Sequence, residues 1–221
     1  MGQWVDLTSG DGFVFPAWVA RTDGAPRGAV VVLQEIFGVT THIRSVADRF
    51  AARGYLAVAP STFARVQKDV DLGYGPEDMQ AGMALKAAVE GLPAPGVLPD
   101  IQAAINYAAR QSGRKVGVVG YCWGGLLAWR AACLAEGLSA AVPYYGGGIT
   151  SAEEVARRPR VPVLAHFGER DRWITQDGVQ AFAQAHPEAQ VHVYPADHGF
   201  NCDQRASYDE AAALNARERT M

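Results

Sequence analysis

The chain has 221 residues, with 20 Lys and Arg against 23 Asp and Glu, for a formal net charge of −3. That length suits one domain around a single sizeable core, and 49% apolar with 19% charged residues is a globular balance. The chain shows no basic run for a phosphate backbone and no apolar stretch near the ~20 residues of a membrane helix, so neither nucleic acid nor a membrane is an expected partner.

The opening Met1-Gly2-Gln3-Trp4 carries no basic-then-apolar leader pattern. Cys122, Cys133 and Cys202 are too few and too odd a set for a disulfide framework, which points to a reducing, cytoplasmic setting. There a cysteine stays a thiol.

Short β-branched runs alternate with Ala-rich amphipathic segments. In chain order, strands are predicted over 30–35, 56–59, 116–121, 141–145, 161–167 and 191–194. Their near-continuous apolar character is that of parallel strands covered on both faces. Helices are predicted over 43–53, 99–111, 126–136, 179–185 and 206–218. In the first, Ile43, Val46, Ala47, Phe50 and Ala51 share a face and Gly54 ends the run. The last still shows apolar periodicity where the sequence stops, as a truncated chain would. No repeat or linker divides the chain, so 1–221 reads as a single α/β domain. Such alternation implies a doubly wound, mostly parallel sheet with helices on both faces. Ligands then sit beyond the carboxyl ends of the strands.

One strand end carries the chemistry. Val116-Gly117-Val118-Val119-Gly120-Tyr121 runs into Cys122-Trp123-Gly124-Gly125 and then a helix. This is the nucleophile elbow of the α/β-hydrolase fold, Gly-x-Cys-x-Gly in place of Gly-x-Ser-x-Gly. The glycines allow a turn too tight for side chains, and the nucleophile caps a helix N-terminus that attracts negative charge. Cys133, inside an Ala-rich helix and without such a frame, reads as inert core. A phosphate loop is ruled out, because no Lys follows Gly124-Gly125.

In this fold an acid and then a His follow the nucleophile, each after a later strand. The loop after 161–167 offers Asp171, with Glu169 as the alternative acid, and the loop after 191–194 offers His198. His166 and His192 lie inside strands and read as packed, whereas His42 and His186 flank helices and are expected at the surface. Metal-ligand spacing such as His-Glu-x-x-His is absent, so neither metal nor cofactor is expected.

Gln34-Glu35-Ile36-Phe37-Gly38, Gly120-Tyr121-Cys122-Trp123-Gly124-Gly125, Tyr144-Tyr145-Gly146 and His198-Gly199-Phe200 together resemble the dienelactone hydrolase (carboxymethylenebutenolidase) family. The resemblance implies an α/β-hydrolase domain acting on a small enol-lactone or related ester, with Cys122, Asp171 and His198 as triad. It also implies that Glu35 contacts the resting thiol and yields when substrate binds, and that the Ile36 and Trp123 backbone N–H groups form the oxyanion hole. A monomer is expected. Competing readings keep the triad but change the substrate to another ester or thioester, or make Cys122 a redox-sensing thiol without turnover.

In that family, arginines grip the substrate carboxylate, one of them shortly after the catalytic His. Here Arg205 falls late and 76–86 holds no Arg, leaving Arg65 or Lys68 to reach in. The expectation is therefore poor hydrolysis of dienelactone itself.

Overall fold

A computed structural model describes residues 2–221. In chain order the elements are β1 (Gln3–Thr8), β2 (Val14–Ala20), β3 (Gly28–Leu33), α1 (Thr41–Ala52), β4 (Tyr55–Pro60), α2 (Pro76–Glu90), α3 (Leu98–Ser112) and β5 (Val116–Tyr121). There follow α4 (Trp123–Leu134), β6 (Leu138–Tyr144), α5 (Ala152–Ala156), β7 (Leu164–Gly168), α6 (Gln176–Ala185), β8 (Gln190–Tyr194) and α7 (Glu210–Thr220). Eight strands form one sheet in the order β1-β2-β4-β3-β5-β6-β7-β8. Pairings from β4 across to β8 are parallel, and β1–β2 and β2–β4 are antiparallel. This is the mostly parallel α/β sheet that the alternation implied, in the α/β-hydrolase-like form that the resemblance implied.

The interior strands form because they are apolar throughout. Every residue of β3, Gly-Ala-Val-Val-Val-Leu, is buried, as a strand covered on both faces requires. In α1 the Thr40 side chain accepts the Ile43 N–H, which caps the helix, and the Ile43, Val46, Ala47, Phe50 and Ala51 stripe turns inward. Helix α4 is apolar nearly all round and accordingly almost wholly buried.

Four elements were not predicted. In the hairpin β1–β2, Phe15, Ala17 and Val19 face in while Val14, Pro16 and Trp18 are more exposed, and Gln3, Asp6 and Thr8 break any apolar run in β1. Helix α2 buries only Gly82, Leu85 and Val89, too thin a stripe to stand out. Helix α5 is a single short turn. Among the described residues, no helix is long and apolar enough to cross a membrane.

The connectivity sets where a site can form. From β3 the chain passes through α1 to β4 on one side, then returns through α2 and α3 to β5 on the other. The chain leaves β3 and β5 in opposite directions there, which opens a crevice at their carboxyl ends. Leu33 and Gly120 are register partners, so the loops after the two strands face that crevice at the same level.

Candidate active site

The turn after β5 is built by exclusion. A Cβ on Gly120 would collide with the Gly124 carbonyl, and one on Gly124 with the carbonyls of Leu33 and Gln34. Only glycine permits that approach, and it brings α4 against the end of β3. Between them Cys122 sits at φ 54°, ψ −119°, a left-handed strain that non-glycine residues keep where the surroundings over-determine it. Its carbonyl accepts the N–H of Gly125 at 2.9 Å, and its own N–H donates to Tyr144 O at 3.1 Å. The thiol heads α4 half-buried, at the base of a cleft.

Asp171 lies past the end of β7, buried. Its Oδ1 accepts the backbone N–H groups of Trp173 at 2.8 Å and Ile174 at 3.2 Å. Its Oδ2 lies 2.7 Å from Nδ1 of His198. Glu169, the alternative acid, is exposed. His198 leans on the Tyr145 ring, with centroids 5.1 Å apart. Burial by itself would lower the imidazole pKa. The charge on Cys122 and the bonds to Asp171 and Cys122 outweigh it and raise the pKa to about 10. Cys122, Asp171 and His198 thus come together from three strand ends.

The cleft is lined by Ile36, Trp123, Cys122, His198, Lys86 and Arg205 among others, so both residues expected to supply oxyanion N–H groups face it. It offers about 160 Å³, comparable to a cavity of about 150 Å³ that holds benzene. Its walls are mostly apolar, and its floor has room for about one ring.

Several expectations are corrected. Glu35 lies just beyond β3 and is buried as anticipated, but its bond is not to the thiol: Arg205 Nη1 donates to Glu35 Oε1 at 3.0 Å. Arg205 therefore does reach the cleft, and Lys86 joins it from α2. Gly199, at φ 83°, makes room, because a Cβ there would crowd the Arg205 guanidinium. Arg65 is committed elsewhere, gripping Asp100 at 2.7 and 2.8 Å, and Lys68 is exposed. The expected lack of cations at the cleft does not hold. Nor are His42 and His186 at the surface. Both are fully buried, His42 against Asp203, and His186 with Nε2 donating to Val155 O at 3.0 Å and Nδ1 3.3 Å from Glu188 Oε1.

Comparison with known proteins agrees with this architecture over nearly the whole length. The profile of the Dienelactone hydrolase family matches residues 15–221. The chain belongs to that family. It is 34% identical over 226 residues to the carboxymethylenebutenolidases of Pseudomonas putida and of Pseudomonas knackmussii, covering 99% of this chain and 94% of each relative. A crystal structure from Klebsiella pneumoniae, named for dienelactone hydrolase, superposes with a TM-score of 0.84 at 33% identity, covering 100% of this chain and 96% of that one. As a dienelactone hydrolase family member the chain is a hydrolase.

Proposed function

We propose that this protein hydrolyses small enol-lactones or related carboxylic esters through a Cys122–His198–Asp171 triad and a thioester intermediate. The observation that carries the reading is the 2.7 Å contact of His198 with Asp171, on an imidazole that shares the cleft with the strained Cys122 thiol. Cys122 passes its thiol proton to His198 and attacks the carbonyl carbon through Sγ, and the backbone N–H groups of Ile36 and Trp123 take the developing oxyanion. The carbonyl re-forms as the C–O bond to the leaving enolate or alkoxide breaks, and His198 or solvent supplies its proton. His198, oriented by Asp171, then removes a proton from water, which attacks the thioester and returns the thiol. Glu35 enters as the group that exchanges between the thiol and Arg205, and the Arg205 pair leaves Cys122 to His198. The small volume favours a single-ring lactone or a short ester, and Lys86 with Arg205 favours one bearing a carboxylate.

The test is turnover of an aryl acetate and of an enol-lactone by Cys122→Ala and Cys133→Ala. Cys122→Ala is expected to lose turnover, and Cys133→Ala to stay within a few-fold of wild type. Equal losses in the two variants would reject the triad.

A further inference from the structure

Behind the cleft lies a cluster that the proposed reaction uses only at one point. Glu35, His42 and Cys202 present a carboxylate oxygen, a ring nitrogen and a sulfur that all lie within 4.8 Å of one another. They come from the loop after β3, the first turn of α1 and the segment following His198, and all three are buried. Two of their polar atoms, Glu35 Oε2 and His42 Nε2, are buried without a hydrogen-bond partner among the described residues. Buried polar atoms are almost always paired, and two orphans aimed into one spot point to a ligand between them. The other side of each residue is already fixed. His42 Nδ1 lies 3.1 Å from Asp203 Oδ1, which makes Nδ1 the protonated nitrogen and leaves the Nε2 lone pair free. A carboxylate behind an imidazole is the usual outer-shell partner of a metal-bound histidine. Glu35 Oε1 is held by Arg205, so Oε2 is the oxygen left to bind.

We propose that Glu35, His42 and Cys202 form a binding site for a thiolate-accepting divalent cation of the Zn²⁺ class, coupled to the cleft through the Glu35–Arg205 pair. One sulfur, one imidazole and one carboxylate suit Zn²⁺ or Co²⁺, whereas Mg²⁺ and Ca²⁺ call for oxygen throughout. Bonds of about 2.0–2.3 Å in a tetrahedron place ligand atoms roughly 3.6 Å apart, so side-chain rotations of about 1 Å close the site. On binding, the Cys202 S–H bond is replaced by an S–metal bond and the proton leaves to solvent. Glu35 and Asp203 are already matched by Arg205 and by Arg49, which lies 3.7 Å from Asp203 Oδ2, so the metal and the Cys202 thiolate together add one net positive charge. The triad supplies no ligand, so the ion stands outside the hydrolytic steps and acts on them by immobilising Glu35. Its route in is the cleft, past Arg205, which lines the one and touches the other.

The experiment titrates the reduced, full-length protein with Co²⁺ under anaerobic conditions. One Co²⁺ per chain should bind with tetrahedral visible bands and a sulfur-to-cobalt charge-transfer band, and Zn²⁺ should displace it. Both signals should persist in Cys122→Ser and the charge-transfer band should vanish in Cys202→Ala, with Cys202→Ser as a second variant and circular dichroism reporting that each is folded. Asp203→Asn should weaken binding roughly 10–100-fold. A charge-transfer band that needs Cys122 rather than Cys202, or no stoichiometric binding by the folded wild type, would overturn the site while leaving the hydrolase reading intact.

Discussion

His198 and His166 are both withdrawn from water, and they end with opposite charge preferences. His166, on β7, bonds Tyr194 Oη through Nδ1 at 2.9 Å and Thr220 Oγ1 through Nε2 at 3.1 Å. Burial, reinforced by His192 and Arg219, drives its pKa down to about 3. His198 suffers the same burial, yet the charge of Cys122 and the Asp171 carboxylate carry it up to about 10. The difference lies in the partners: hydroxyls accept a neutral ring, while anions demand a charged one. The two networks also do different work. Around His166, Thr220 additionally meets Tyr144 Oη at 2.6 Å, so the cluster pins the last turn of α7 to the sheet. Around His198, which lies beyond the end of β8, the network faces the cleft instead.

Removing the anion should break the contrast most strongly. Asp171→Asn keeps an oxygen for the Trp173 and Ile174 N–H groups, so folding should survive. His198 loses its orienting charge, and kcat on an aryl ester should fall on the order of 10³–10⁴-fold, as in other triads that lose their carboxylate. Retention of activity within tenfold would show that Asp171 is not what distinguishes the two histidines.

The converse change should touch stability and spare catalysis. His166→Leu leaves the buried Tyr194 hydroxyl without its ring partner and frees Thr220 from one of its bonds. The cost is about 1–3 kcal/mol, read as a fall in Tm of roughly 2–12 °C for a chain of this size. The value of kcat should stay within a few-fold. A large loss of kcat without a change in Tm would mean that the clamp and the site are not separate.

How legible each region was follows from how local its determinants are. The elbow is written in six consecutive residues, and steric necessity at Gly120 and Gly124 makes that motif readable without any partner. Asp171 and His198 could be picked out because chain order and strand ends narrow the choice. The Glu35–Arg205 pair spans 170 positions, and Arg205 gave only an indirect sign, the Gly199 beside His198 that leaves it space. His42 looked exposed because a polar residue at a helix start usually faces water. Its burial depends on Asp203, far along the chain, being there to receive it. The hairpin β1–β2 escaped because polar residues break β1 and a proline argues against a strand in β2, and α2 because its buried stripe is only three residues wide.

The smallest effect expected is in the pH dependence of stability, and it tests the sign of each shift. The folded pKa of His166, about 3, lies below its ordinary 6.5, so between those values the unfolded chain binds a proton that the native chain refuses. His166 therefore costs stability as pH falls below about 6.5, by at most ~1.4 kcal/mol per pH unit. His166→Leu should remove that part of the acid slope. The folded pKa of His198, about 10, lies above 6.5, so the native chain holds a proton that the unfolded chain releases. Its contribution is present in full below about 6.5 and is lost as pH rises through about 10. The stability difference between wild type and His198→Gln, measured by urea unfolding, should accordingly be flat in mild acid and shrink toward pH 10. Because the charge of Cys122 is the leading favourable cause of the elevation, Cys122→Ala should flatten the same alkaline slope. A His198→Gln difference that grows with pH would mean that the imidazole rests neutral, and the contrast between the two histidines would collapse.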